Sequence, residues 1–316
     1  MQVACFGEVL WDIFEQDGAE RVHRFALGGA PANVATGLAR LGVGASIVGG
    51  IGRDRFGDAL EKHLADDGVD TSHLIRLPNR TGITFVRRDA RGEPSFLFYR
   101  HETADVEVRA RHVTRAMGKA TWGLVGTSTL MTRGLRHATA RFAKVLHDAG
   151  GNLVVDLNVR SHMWRDKNEM RRRVAKLVGH AALIKASAAD LEALAGSDGP
   201  LWMNEHAAGV AWILTRGADM AHAYFEGGTV EVATTPMRPV DATGAGDAFL
   251  AGALAVLVRA DATPGSPAFR DPRVWTRALQ VGHALGAKAV SGVGSVTGLT
   301  DLGDARSLLA ERLITA

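Results

Sequence analysis

The sequence predicts an α/β fold, a mostly parallel β-sheet covered by helices, with a small second β-sheet projecting from it. Two observations carry this. Short apolar runs alternate with stretches of helical periodicity along most of the 316 residues, as in strands joined by crossover helices. Two segments, 12–27 and 81–103, break that rhythm and read as antiparallel strands away from the βα alternation.

Each element follows in order. Residues 3–9 are a first strand. Residues 31–41 are a helix: Pro31 suits its first turn, Val34, Ala35, Leu38 and Leu41 form one stripe, and Gly42 stops it. Residues 46–51 are the next strand and 55–67 a helix closed by Gly68. In the 81–103 segment, Thr84 and Val86 alternate with Ile83, Phe85 and Arg87, and a Gly92–Pro94 turn leads into Phe96-Leu97-Phe98-Tyr99. Such a flap is placed to close over a substrate. Strands follow at 122–125, 153–157, 182–185 and 212–215, with helices near 133–149, 166–179 and 188–195. Residues 260–272 read as a surface loop. Asp271-Pro272 is an N-cap with proline at the first helical position, opening a helix toward Val290.

Composition narrows the function classes. Hydrophobic residues make up 46%, enough for one large core or two ordinary ones. Lys plus Arg number 37 against 34 Asp plus Glu, a balance that argues against nucleic acid or a membrane as the main partner. No apolar stretch reaches the roughly 18 residues of a membrane span, and Glu8 and Asp12 interrupt the amino-terminal apolar run, unlike a signal peptide. The single cysteine, Cys5, has no partner in the chain and reads as a buried small residue, which suits a reducing cytoplasm. The histidines lack zinc-ligand spacing.

The richest stretch is Asp241-Ala242-Thr243-Gly244-Ala245-Gly246-Asp247, running into an apolar helix. Gly244, Ala245 and Gly246 stand where a helix start leaves N–H groups free, so the turn is an anion site. Asp247 then places a carboxylate beside the anion. A passive anion binder gains nothing from that, whereas phosphoryl transfer needs a base for the incoming hydroxyl. Read alone, Asp247 also fits the simpler role of complementing the helix dipole. The stretch lacks the Lys-Ser/Thr of a Walker loop. The glycines from Gly42 to Gly50 close a helix and lead into a strand, the reverse of a dinucleotide-binding turn. A second constellation is Gly28-Gly29-Ala30-Pro31-Ala32-Asn33, in which adjacent glycines admit close approach and Asn33 offers a donor and an acceptor to hydroxyls. A plain tight turn fits the same residues. A third is Asp156-x-Asn158-x-Arg160 at a strand's carboxyl end, facing the crevice where α/β sheets bind ligands; Asp12 is placed similarly.

GGAPANVATGLARLG (28–42) and DATGAGDAFLAGAL (241–254) resemble the two signatures of the ribokinase-like (PfkB) carbohydrate kinases, in the right order and across nearly the whole chain. GEVLWD (7–12), FLFYRHETAD (96–105) and DLNVR (156–160) are most similar to the fructokinases. The resemblance implies a single three-layer α/β/α domain over 1–316 with a β-sheet lid from about 12–27 and 81–103, often used to pair two subunits. It implies Asp247 as base on a sugar's primary hydroxyl, with Gly244, Ala245 and Gly246 as the anion hole. Sugar contacts fall to Asp12, Gly28, Gly29, Asn33, Phe98, Arg100 and Arg160. Nucleotide contacts fall to Ser187, Thr215, Gly217, Gly244, Gly246, His283 and Ala287. Magnesium is expected to arrive with ATP, with Asp190 acting on it indirectly, and a potassium ion beside Asp241 and Thr243 is common in the family. Four positions depart from the pattern. Ser187-x-x-Asp190 stands for Asn-x-x-Glu, Met220 for a glycine, and Ala242 for the commoner Thr or Ser.

The expectation is therefore a cytoplasmic ATP-dependent sugar kinase that pairs through its lid, with fructose as substrate. 2-Keto-3-deoxygluconate is the nearest rival, because Arg100 and Arg160 could each meet its carboxylate. A ribokinase or nucleoside kinase fits FYRHETAD less well. A sugar sensor without catalysis would have no use for Asp247.

Overall fold

The structure is a computed structural model that describes residues 1–16, 22–88, 94–234 and 239–311. In chain order its strands are β1 (Val3–Phe6), β2 (Leu10–Gln16), β3 (Val22–Gly28), β4 (Ala45–Val48), β5 (Gly50–Gly52), β6 (Ile75–Leu77), β7 (Gly82–Arg88), β8 (Pro94–Tyr99), β9 (Trp122–Gly126), β10 (Asn152–Asp156), β11 (Leu183–Ser187), β12 (Ala211–Thr215), β13 (Met220–Phe225) and β14 (Gly228–Ala233). The helices are α1 (Ala30–Arg40), α2 (Arg55–Asp66), α3 (Arg133–Asp148), α4 (Lys167–Val178), α5 (Ala188–Ala195), α6 (Gly199–His206), α7 (Ala245–Arg259), α8 (Pro267–Arg270), α9 (Pro272–Ala289) and α10 (Gly303–Ala310).

Eight strands form the main sheet in the order β14-β13-β12-β11-β10-β9-β1-β4, parallel from β12 to β4. Both faces are covered, so successive residues of β1 are all buried: Val3 and Cys5 join one core, Ala4 and Phe6 the other. Leu38 of α1, Leu254 of α7 and Leu285 of α9 fill the first core. Phe142 of α3, stacked 5.1 Å from Phe6, and Val174 of α4 fill the second. Cys5 is fully buried, and burial pushes its thiol well up. The chain reverses its direction of travel across the sheet between β1 and β9, so a crevice opens at their carboxyl ends.

The second sheet has the order β3-β2-β7-β8, so the expected lid segments do form a sheet. Its central pair, β2 and β7, is parallel rather than antiparallel, joined by a crossover that includes β4, α2 and β6. The expected Gly92–Pro94 turn lies outside the described residues apart from Pro94, the first residue of β8.

Three boundaries differ from the sequence reading. The first strand stops at Phe6, because at Gly7 a side chain would come within 2.6 Å of Pro31. The strand expected at 46–51 breaks at Gly49, where a Cβ would lie 2.6 Å from the Gly7 carbonyl oxygen; β5 then leaves the main sheet to pair with β6. The 260–272 loop carries one helical turn, α8, capped by Ser266 and anchored by buried Phe269 against Trp275. The β13–β14 hairpin at the sheet edge was not legible from periodicity, since the buried face of β13 carries the small residues Ala221 and Ala223 while the larger Met220, His222 and Tyr224 lie on the other face.

Candidate active site

The start of α7 is shaped by its glycines. Gly244 caps the helix at φ +77°, and a Cβ there would lie 2.4 Å from Ser295. A helix's first turn leaves its N–H groups without internal partners, and the dipole favours an anion there. Asp247, in that same turn, accepts a hydrogen bond through Oδ2 from Asn33 Nδ2 at 2.8 Å. Asn33 in turn accepts from the Ser295 hydroxyl at 2.8 Å. The two motifs, 214 residues apart, thus meet in one buried contact. Burial raises Asp247 to about 7, with the Asp156 carboxylate adding to it. The Asn33 hydrogen bond, Lys185 and Arg160 oppose the rise.

Beside this turn stand the ends of β10 and β11. Asp156 and Lys185 are register neighbours, with Nζ 3.3 Å from Oδ1 and both side chains buried. Neither Asp156 oxygen has a hydrogen bond within the described residues, and burial raises its pKa. Burial alone would lower Lys185, but Asp156, Asp190 and Asp247 together hold its ammonium charged. A Cβ on Gly246 would sit 2.9 Å from Lys185 Nζ, so the glycine keeps the ammonium and the helix start together. Ser187 and Asp190 form a capping box on α5. Asp190 also accepts from Val159 N–H at 2.6 Å, so both of its oxygens are engaged within the protein. Asp241 is buried likewise, accepting from Thr243 N–H, the Thr243 hydroxyl and Gly294 N–H.

The second sheet brings Asp12 close to this site, where Asp247 acts on it electrostatically. Asp12, Thr84 and Phe98 are cross-strand neighbours on one face. Asp12 is buried, and burial, with Asp247 next, raises it to about 8 while Arg100 opposes. A Cβ on Gly28 would lie 2.6 Å from Asp12 Cγ, and one on Gly29 (φ +103°) 2.3 Å from the Glu8 carbonyl oxygen. Phe98 stacks on His162 at 6.1 Å, and the Arg160 guanidinium lies 5.7 Å from the Phe96 ring. Arg100 is bound to Asp105, with Nη2 at 2.6 Å and Nε at 2.7 Å from Oδ2.

On the other side of the α7 turn is a cavity of about 290 Å³. Thr215, Gly217, His283 and Ala287, singled out separately in the sequence, line it together with Ala245, Gly246 and Phe249. His283 packs edge-on against Phe249 and places Nε2 3.0 Å from the Val232 carbonyl oxygen. Met220 opens β13 and its carbonyl closes the turn by accepting from Arg216 N–H at 3.1 Å.

Sequence reasoning missed four residues here. Lys185 carried a signal, a charge inside the apolar run Leu183-Ile184-Lys185-Ala186. Thr84, whose buried hydroxyl has no partner among the described residues, looked like ordinary strand alternation. Asp105 lay within a quoted motif, but its partner emerges only from the fold. Ser295 had no signal at all.

Comparison with known proteins gives concordant results. The family model for pfkB family carbohydrate kinases matches residues 2–302. Fructokinase-1 of Oryza sativa subsp. japonica is 32% identical over 311 residues, covering 94% of each chain. Among solved structures, a fructokinase of Xylella fastidiosa with bound ATP superposes with a TM-score of 0.86 at 30% identity, covering 98% of this chain and 97% of its own. The Vibrio cholerae O395 fructokinase, solved with fructose, ADP and a calcium ion, gives 0.87 at 28% identity and 98% coverage of both chains. A double mutant of that enzyme was solved with fructose, ADP and a potassium ion.

Proposed function

The chain belongs to the pfkB family of carbohydrate kinases and is an ATP-dependent sugar kinase, and from that premise we propose that it converts fructose and MgATP to fructose 6-phosphate and ADP. The observation that carries the reading is the Asn33–Asp247 contact, which joins a hydroxyl-binding turn to a carboxylate at an anion-binding helix start. Fructose lies between the lid's inner face and the main sheet, held by Asp12, Gly28, Gly29, Asn33, Phe98 and Arg160. Adenine takes the cavity lined by Thr215, Gly217, His283 and Ala287, and the phosphates run to Gly244, Ala245 and Gly246. The sugar's primary hydroxyl attacks the γ-phosphorus as its proton passes to Asp247; the bond to the β-phosphate oxygen breaks and ADP leaves. Amides of the glycine turn and the Lys185 ammonium face the charge that builds on the transferred group. A closed lid keeps water from competing as acceptor.

Magnesium would be held chiefly by phosphate oxygens and water. Magnesium would neutralise phosphate charge, and Asp190, with both oxygens engaged, would reach it only through water. Potassium would sit beside Asp241 and Thr243, where Asp241 ties two loops together through Gly294. A cytoplasmic location goes with this reading; among the described residues no helix is long and apolar enough to cross a membrane.

The active unit in this reading is a homodimer paired through the lid. The lid's outer face carries Phe25, Ile13, Phe85 and Leu97 in one cross-strand row and Trp11, Ile83 and Tyr99 in the next. Phe25 on one edge strand and Leu97 and Tyr99 on the other are each about half exposed, with Trp11 and Ile13 buried between them; exposed apolar side chains on one sheet face support its use as an interaction surface.

ADP release with and without fructose tests the reaction. Asp247→Asn should still bind fructose by calorimetry and lose turnover at least ~100-fold, the usual contribution of a general base. Near-normal turnover in that variant refutes the assigned role.

A further inference from the structure

Resting on the sugar-kinase reading above, we infer that Asp105 is a specificity-determining residue: by binding Arg100 it removes the cation an acid sugar would need and restricts the site to neutral sugars. Arg100 follows directly on lid strand β8 and is nearly buried, with its side chain 9% exposed. Nη2 and Nε both donate to one oxygen of Asp105, at 2.6 and 2.7 Å. The other Asp105 oxygen accepts from the Thr103 hydroxyl at 2.5 Å, and the Asp105 side chain has no solvent exposure. The carboxylate is therefore fixed in place, and a carboxylate on a ligand could displace it only by leaving a buried charge unpaired.

The wider surroundings work in the same direction. Glu8 and Asp12 also act electrostatically on Arg100, after Asp105. Arg160, the other cation near the lid, lies over Phe96 and in the field of Asp156 and Asp247. A ligand carboxylate entering beside the lid therefore finds Arg100 already paired. Fixed charges of this kind select by rejecting the wrong ligand as much as by holding the right one. A neutral polyol meets acceptors for its hydroxyls and no penalty.

The test compares kcat/KM for 2-keto-3-deoxygluconate and fructose in a coupled ADP assay. Asp105→Asn keeps the shape and the Thr103 bond while releasing Arg100. It should raise the acid-to-neutral ratio at least about tenfold, the scale of one charge-assisted hydrogen bond gained, mainly through KM. Adding Arg100→Gln to that variant should cancel the gain, which a merely structural role for Asp105 would not produce. Should Asp105→Asn fail to fold, gluconate competition decides on the unaltered protein: no inhibition at concentrations where neutral sugars compete supports the inference, and comparable inhibition overturns it. A folded Asp105→Asn protein with an unchanged ratio overturns it too, while leaving fructose phosphorylation standing. Turnover of some other neutral sugar, with fructose inert, would instead sink the fructose reading and leave this inference intact.

Discussion

At the scale of single residues, the site stores carboxylates that burial disfavours. Asp12 is raised to about 8 and Asp247 to about 7, each chiefly by desolvation. For Asp247 this is near neutrality, where the proton acceptor proposed above would work best. For Asp12 it sets a stability cost with a definite sign. The folded protein keeps a proton that the unfolded chain releases from the ordinary 3.8 upward. Stability is therefore full below that value and is lost as pH climbs toward about 8. Asp12→Asn removes the titration, so without sugar it should melt above the unaltered protein, by a margin that widens from pH 5 to pH 8. Melting curves at the two pH values check this, and an equal margin at both would count against it. The buried lysine opposite, Lys185, shows why such residues escape sequence reading. Its strand position was legible, but the three carboxylates that keep it charged come from β10, α5 and α7.

At the scale of elements, the βα alternation and α1 could be read from local periodicity, with Pro31 at the start of α1 and Gly42 just past its end, and α7 from its glycine turn and apolar run. What periodicity could not show was where glycine interrupts a strand for a distant reason. Glycine is required at Gly7 by the Pro31 ring and at Gly49 by the Gly7 carbonyl, contacts invisible in a short window. Gly244 is the converse: its turn was legible, but the need for glycine there comes from Ser295, about fifty positions on. Gly244→Ala would incur the left-handed backbone strain of about 1–2 kcal/mol and the collision with Ser295 at 2.4 Å. Gly150→Ala provides the comparison, with φ +80° and no atom within 4 Å of its Cβ. Both should lower the melting temperature, and Gly244→Ala more. If the proposed phosphate contacts hold, turnover should collapse only in Gly244→Ala, because only that turn lies at the site. Steady-state kinetics on both proteins decide the matter, and intact turnover in Gly244→Ala would detach the turn from catalysis.

At the scale of the whole molecule, the lid is a four-stranded sheet with two different faces. The inner face carries Asp12, Thr84 and Phe98 toward the site. The outer face carries aromatic and aliphatic side chains in register, with Phe25 stacked on Phe56 of α2 and Phe85 edge-on to Tyr99. A sheet with one wet face normally alternates polar with apolar residues, and this one does not along those rows. A second copy offers the same face, and two such faces related by a twofold axis are self-complementary. Leu97, 59% exposed, is the position where a charge would disturb the monomer least and a paired face most. Leu97→Asp should therefore keep the melting behaviour of a folded chain while sedimentation shifts from dimer to monomer. Because lid pairing would steady the strand that bears Phe98, KM for the sugar should rise in the monomer while KM for ATP stays near its starting value. A parent protein that sediments as a monomer at micromolar concentration would remove the dimer from the proposal and leave the chemistry at Asp247 untouched.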